Sequence, residues 1–245
     1  VLVAWVLVAA GGSSATTAAL RAPALPASPE PALRVPTPTP LEAGGATWAT
    51  VRRAVFARWR PSPNAPVIAR LEIRTAEETS NIVLVLGRGR DAAGGLWVHV
   101  RLPVLPNERT AWIPRDALGG YGVVRTHLVV DLRRLTATLL RDRRQIFRAP
   151  IGVGKPAWPT PRGDFYVRNR LTSYASPFYG PVAFGTSARS AVLTDWPDGG
   201  FIGIHGTDRP ELLPGRVSHG CIRMRNDDIL ELGRLMPIGT PVTIR

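Results

Sequence analysis

At 245 residues the chain has room for one large or two modest domains, and 44% hydrophobic against 20% charged residues suits a globular protein with some disordered sequence, not a membrane bundle. The net charge of +13 is carried almost wholly by arginine, Lys155 being the single lysine, which favours anionic partners. The arginines are scattered and no helix-turn-helix, zinc-finger or RNA-binding signature is present, which argues against nucleic acid and leaves acidic lipid and anionic wall polymers.

The first residues, Val1 to Ala10, are apolar and lead into Gly11-Gly12-Ser13-Ser14 and a small-residue stretch without charge before Arg21. Residues 1–21 are read as a signal peptide or membrane anchor truncated at its start, because there is no initiator methionine or basic leader and a bilayer span takes about 20 apolar residues. A buried strand is the alternative. From 22 to 45, prolines at 23, 26, 29, 31, 36, 38 and 40 recur among Ala, Thr and Ser and block hydrogen-bond ladders, predicting a semi-stiff linker.

Residues 46–119 change character. Short apolar runs, Ile82 to Leu86 and Trp97 to Val100, alternate with Gly, Pro and Asn turns and predict a small β-domain. The segments Leu96 to Arg101 and Thr110 to Pro114 resemble the closing strands of bacterial SH3-like barrels, and Trp97 and Trp112 are expected in its core. Gly119-Gly120 marks a boundary, and residues 123–245 form a second, mainly β domain. His127, Val129 and Asp131 alternate with Leu128, Val130 and Leu132, and with Leu135 to Leu140 they predict a hairpin. Further strands are expected over Gln145 to Val153 and Phe165 to Leu171. Leu171 to Gly200, rich in Ser, Pro, Gly, Tyr and Phe, reads as a loop over a cleft or a plain surface excursion. The one helix starts at Asn226 as N-cap, with Asp227 and Asp228 in its first turn and Ile229, Leu230, Leu232 and Met236 on its apolar face. Pro237 stops it, and Pro241 to Arg245 is a last strand.

The chemistry concentrates in Ile204-His205-Gly206-Thr207 and Ser218-His219-Gly220-Cys221-Ile222-Arg223-Met224, which hold two of the four histidines and the only cysteine. A lone thiol forms no intramolecular disulfide, and with a pKa near ~8.5 it needs a base or positive field to act as a nucleophile. His219 is too close along the chain to swing well onto the sulfur. His205, ending the strand Phe201 to Ile204, is better placed as base, and a backbone carbonyl near Gly206 is the expected partner for its other N–H. Gly220 allows close backbone approach, so the N–H groups of Gly220 and Cys221 are candidate oxyanion donors. Arg223, beside the nucleophile, suits a ligand bearing carboxylates, with a structural salt bridge as the alternative.

His205-Gly206 together with Ser218 to Met224 resembles the signature of the YkuD-type L,D-transpeptidases. The likeness runs from about Val123 to Arg245 and takes in the Gly154-Lys155 turn and Thr160-Pro161-Arg162-Gly163-Asp164-Phe165. It implies a mainly β catalytic domain with Cys221 as nucleophile and His205 as base. Gly206, Ser218, His219 and Gly220 would support them, Arg223 would contact substrate, and no metal or cofactor would be needed. The implied substrates are peptidoglycan stem peptides: a thioester forms on Cys221, D-alanine leaves, and an amine of a second stem resolves the acyl-enzyme in the exported space of the wall or periplasm. An L,D-carboxypeptidase on the same scaffold, a non-catalytic wall-binding protein, and a zinc site of His205, His219, Cys221 and Asp208 are the competing readings.

Overall fold

The computed structural model of the protein describes residues 45–172, 177–193 and 200–245. The expected signal or anchor at 1–21 lies outside the described residues, as does all of the expected linker except Gly45. Strand β4 (Ile82–Arg90) shows why the first part of the chain reads as a continuous apolar run. Val83 and Val85 point into one core with Val98, Val100, Leu102 and Ile113, while Ile82 and Leu84 face a second cluster with Ala46, Val124 and Tyr166. A strand covered on both faces needs no polar alternation.

Around it lie β1 (Ala46–Val51), β2 (Val55–Arg58), β3 (Val67–Leu71), β5 (Leu96–Arg101), β6 (Thr110–Pro114) and β7 (Leu118–Val124). They form a seven-stranded sheet of order β3-β2-β6-β5-β4-β1-β7, antiparallel at each pairing. Gly119-Gly120 is not a break between sheets but lies inside β7. Strand glycines serve packing there: a Cβ on Gly122 would stand 2.4 Å from the Trp48 ring. Trp97 is 4% exposed and donates its indole N–H to Asp91 at 2.9 Å, whereas Trp112 is only half-buried and stacks on His99 at 4.7 Å between ring centres.

The second sheet is built from β8 (Thr126–Asp131), β9 (Thr136–Arg141), β10 (Arg144–Pro150), β11 (Gly152–Gly154), β12 (Gly163–Leu171), β13 (Ala183–Arg189), β14 (Phe201–His205), β15 (Gly215–Ser218), β16 (Ile222–Arg223) and β17 (Pro241–Ile244). Its order is β10-β9-β8-β17-β12-β13-β14-β16-β11-β15, and the protein is mainly β with a single α-helix among the described residues. The β8–β9 hairpin pairs as its alternation predicts. The run expected over Gln145 to Val153 divides at Ile151, with β10 on β9 and β11 joined to β15 and β16.

Strand β13 overturns part of the expected loop. Its Ala, Gly and Ser residues have little β-propensity, yet it lies mid-sheet between β12 and β14 and is largely buried. Small side chains are what that place requires, since a Cβ on Gly185 would stand 2.3 Å from Asn169 Oδ1, and pairing on both edges overrides propensity. Helix α1 (Asn226–Leu235) begins one residue earlier than expected. Arg225 is the N-cap, and Asn226 spends its side-chain oxygen on the Thr207 N–H at 3.0 Å. Ile229, Leu232 and Met236 are buried, but Leu230 is 37% exposed and does not share their face.

The two sheets belong to one compact unit and are tied by specific polar contacts. The buried Tyr166 hydroxyl donates to Ile82 O at 3.1 Å, the Asn107 side-chain amide donates to Arg189 O at 2.8 Å and accepts from the Arg189 N–H at 2.9 Å, and Glu108 accepts from the Asp164 N–H at 3.0 Å. Glu77 accepts from Asn169 at 3.1 Å and lies 3.7 Å from the Arg168 guanidinium.

Candidate active site

Parallel pairing of β14 with β16 sets Ile204 beside Ile222 and His205 beside Arg223. Cys221, one residue before β16, is thereby brought to Gly203. The Gly203 N–H donates to Cys221 Sγ at 3.3 Å, and a Cβ placed on Gly203 would be 3.6 Å from His205 Cδ2 and 3.7 Å from the same sulfur. Sulfur and imidazole edge thus both lie within van der Waals reach of one spot beside Gly203. The two expected reacting groups come together from separate stretches of chain.

The imidazole is fixed before any substrate arrives. His205 is 2% exposed, and its Nδ1 lies 2.6 Å from Gly206 O. A carbonyl can only accept, so Nδ1 carries the hydrogen and Nε2 keeps its lone pair. Burial pushes the His205 pKa down to about 4; the Gly206 bond opposes that shift, and the nearby Arg223 charge adds to it. The ring is therefore neutral at physiological pH, the state a base needs before it takes a thiol proton. Tyr179 sets its ring edge-on to the imidazole at 4.7 Å.

The turn that carries Cys221 is held from within. Ser218, fully buried, donates its hydroxyl to Cys221 O at 2.6 Å and accepts the Gly220 N–H at 3.1 Å. Thr160 donates to Gly220 O at 2.7 Å and accepts the Gly154 N–H at 2.9 Å, while the Lys155 N–H reaches Ser218 O at 3.0 Å. Gly220 itself has φ +118°, a conformation that glycine adopts without strain. These bonds correct one expectation: the Gly220 N–H is occupied by Ser218 and does not stand ready for an oxyanion.

Gly206 has a second role beside its carbonyl. A Cβ there would fall 2.3 Å from Asn226 Oδ1 and 3.0 Å from Gly180 Cα, so the Gly180–Gly206 contact seats the segment bearing Tyr179 against the base. His219 is exposed and packs its ring 4.3 Å from Trp158, outside the sulfur–imidazole pair. Arg223 is half-buried, and its Nε has no hydrogen-bond partner among the described residues. Asp208, counted in the zinc reading, is exposed, and among the described residues no three His, Cys, Asp or Glu side chains gather.

His205, His219, Cys221 and Arg223 line one cavity of about 380 Å³, closed on other sides by Phe178, Tyr179, Leu193 and Phe201. Sequence reasoning did not single out Tyr179 or Phe201. For Tyr179 the signal was the aromatic content of 171–200, which pointed to a cleft cover without saying which ring meets which residue; for Phe201 it was only its place at the head of the strand that ends in His205. Two guanidinium groups lie over Phe201, with Arg168 3.9 Å and Arg189 4.6 Å from its ring centre. Cations over an aromatic face favour that placement.

Residues 125–244 match the family model described as the L,D-transpeptidase catalytic domain, YkuD. The Bacillus subtilis protein YkuD, provisionally named an L,D-transpeptidase, is 38% identical over 118 residues, covering 48% of this chain and 65% of that protein. Another B. subtilis protein with the same provisional name, YqjB, is 31% identical over 126 residues, covering 48% of this chain and 70% of its own length. The chain thus spans slightly less than two thirds of the first of these relatives and more of the second. A crystal structure of an Enterococcus faecium L,D-transpeptidase overlaps 49% of each chain at 27% identity, with a TM-score of 0.40, too low to add weight to the sequence match.

Proposed function

We infer what this chain does from the premise that it belongs to the L,D-transpeptidase family, with a YkuD catalytic domain at residues 125–244. It is an exported wall enzyme that cross-links peptidoglycan stem peptides by acyl transfer through Cys221. In the first half-reaction the Cys221 sulfur attacks the carbonyl joining the third stem residue to its terminal D-alanine, and His205 Nε2 takes the thiol proton. The C–N bond breaks, that proton passes to the departing amine, and a thioester remains. In the second half-reaction an amine from a neighbouring stem attacks the thioester, His205 takes its proton, and the thiol is regenerated as the new amide forms. Acyl energy is conserved throughout, so no nucleotide is consumed.

The observation that carries this reading is the buried, neutral imidazole, locked through Nδ1 to Gly206 O and flanking Gly203 together with the Cys221 sulfur. Holding base and nucleophile in one geometry supplies part of the rate, because the encounter is already made. Arg223 is the receiving group for a substrate carboxylate, and Ser218, Gly220 and Gly206 hold the reacting pair in place. With the Gly220 N–H engaged, the oxyanion is assigned to the Cys221 N–H. With the boundary moved from 119 to the end of β7, we read the first sheet, residues 46–124, as an SH3-like module and the chain beyond it as the catalytic domain, delivered to the wall by the segment at 1–21 and its 22–45 linker.

The test is product analysis with a tetrapeptide stem, with and without an amine acceptor. The expected result is D-alanine release in both cases and a cross-linked product when acceptor is present. Water as sole acceptor even with amine in excess would make the protein an L,D-carboxypeptidase. Unchanged products from Cys221→Ala would remove the thiol from the mechanism.

A further inference from the structure

Away from the cavity, the second sheet carries a strongly cationic groove. One depression of about 700 Å³ is lined by Arg133, Arg134, Arg162, Arg245 and Asp131. A second, of about 440 Å³, shares Arg134, Arg245 and Asp131 with it and adds Arg148 beside Thr136 and Thr138 of β9. The two adjoin through those shared residues and together present five guanidinium groups and one side-chain carboxylate. That carboxylate is committed already: Asp131 accepts the Arg133 and Arg134 N–H groups at 3.0 and 2.8 Å and lies 3.3 Å from Arg134 Nη1.

Some arginines elsewhere have carboxylate partners. Arg53 pairs with Asp116 at 2.8 Å, Arg70 with Glu72 at 2.9 Å and Arg125 with Asp142 at 2.5 Å. Among the described residues no ion pair engages Arg133, Arg148, Arg162 or Arg245. Placing five like charges around one groove raises the free energy of the protein alone and is relieved by an anion. One carboxylate or phosphate satisfies one or two guanidinium forks, so a row of them calls for an anion that repeats.

We propose that this groove binds a phosphodiester-linked anionic polymer of the wall. The partner's identity rests on the wall reading above, whereas the groove's preference for a polyanion rests on the charges alone. A phosphodiester keeps its charge nearly throughout the acid range, and its repeated charges match several guanidinium groups set in two adjoining depressions. A membrane surface fits less well, because none of the exposed large hydrophobics lines the groove to insert into lipid. Arg162 follows Thr160 by two residues, and Thr160 bonds Gly220 O, while Trp158 packs on His219 beside the cavity. A polymer in the groove therefore lies along the segment leading to the catalytic turn and keeps the enzyme on its insoluble substrate.

The experiment measures binding of the whole protein to synthetic poly(glycerol phosphate), to polyglutamate and to phosphatidylglycerol vesicles, alongside turnover of a soluble stem peptide. We expect wild type to prefer the phosphodiester polymer, with affinity falling about tenfold or more between 50 and 200 mM salt by counterion release. The Arg133→Gln/Arg134→Gln/Arg148→Gln variant should lose about tenfold in binding at low salt while keeping its circular dichroism and soluble turnover. A control removing as many positive charges, Arg53→Gln/Arg70→Gln/Arg125→Gln, should bind as wild type does. Equal loss in both variants, or tighter binding to vesicles or polyglutamate, overturns the proposal. Because binding is read without catalysis, Cys221→Ala should bind like wild type, so a failed transpeptidase assay does not bear on this result.

Discussion

The two sheets are built from similar residues but treat polarity in opposite ways. Among the described residues the first sheet and its loops bury three polar side chains, Thr47, Thr75 and Asn81, and leave ion pairs such as Arg53–Asp116 and Arg70–Glu72 exposed. The second buries twelve, from Thr126 to Thr240, and among these His205, Ser218, Thr160 and Thr207 surround the thiol or its support. Burying a hydroxyl or imidazole costs free energy unless it is bonded, and the bonds of His205, Ser218 and Thr160 also hold the imidazole or the turn that carries Cys221. The first sheet relies mainly on apolar packing, while the second carries a more polar interior around the thiol and imidazole.

This contrast predicts a graded series of effects. The largest falls on the imidazole: His205→Gln should slow acylation of Cys221 by roughly 10²–10⁴, the usual range for a general base, as measured by single-turnover mass spectrometry. The second concerns pH. His205 has a folded pKa of about 4, below its unfolded value of ~6.5, so the unfolded chain takes up the proton first. Stability should be fully present above pH ~6.5 and decline as pH falls toward ~4, with acylation retaining its base down to that lower value. His127 is shifted down as well, through burial first, so the effect of His205 is the difference between wild type and His205→Gln in urea titrations at each pH. A decline of equal size in both proteins would remove His205 from this account.

A smaller effect tests whether the first sheet supports the cavity. Glu77 lies 3.7 Å from the buried Arg168, whose guanidinium covers Phe201 on the cavity wall. Removing the carboxylate charge in Glu77→Gln leaves that cation without its counter-charge, which should cost up to about 3 kcal/mol of stability and lower acylation as Phe201 loosens. Loss of stability with unchanged acylation would confine Glu77 to a structural role. Smallest of all is Glu72→Gln, which breaks an exposed pair and should change stability by less than about 1 kcal/mol.

Those sizes follow what sequence could and could not convey. Strands with clear alternation or apolar runs, such as β4, β8 and β9, were legible because side-chain period alone separates their faces. Strand β13 was not, since its small polar residues are dictated by neighbours on both edges. Cys221 and His205 stood out through their rarity and spacing, and the carbonyl sought near Gly206 is that of Gly206 itself. The donor expected at Gly220 was misjudged, because nothing local reveals that the Ser218 hydroxyl turns back to take that N–H. Tyr179 and Phe201 escaped notice for the same reason: their positions depend on Gly180 meeting Gly206 and on two arginines from other strands.

The central claim is that the Cys221 sulfur becomes an acyl carrier. Its most direct test is intact-mass measurement of the protein quenched in acid during turnover of a tetrapeptide stem, followed by peptide mapping. The account predicts a thioester adduct of the stem lacking its terminal D-alanine, mapped to Cys221, absent in Cys221→Ala and slow to appear in His205→Gln. Steady release of D-alanine by Cys221→Ala, or an adduct mapped to another residue, would contradict it.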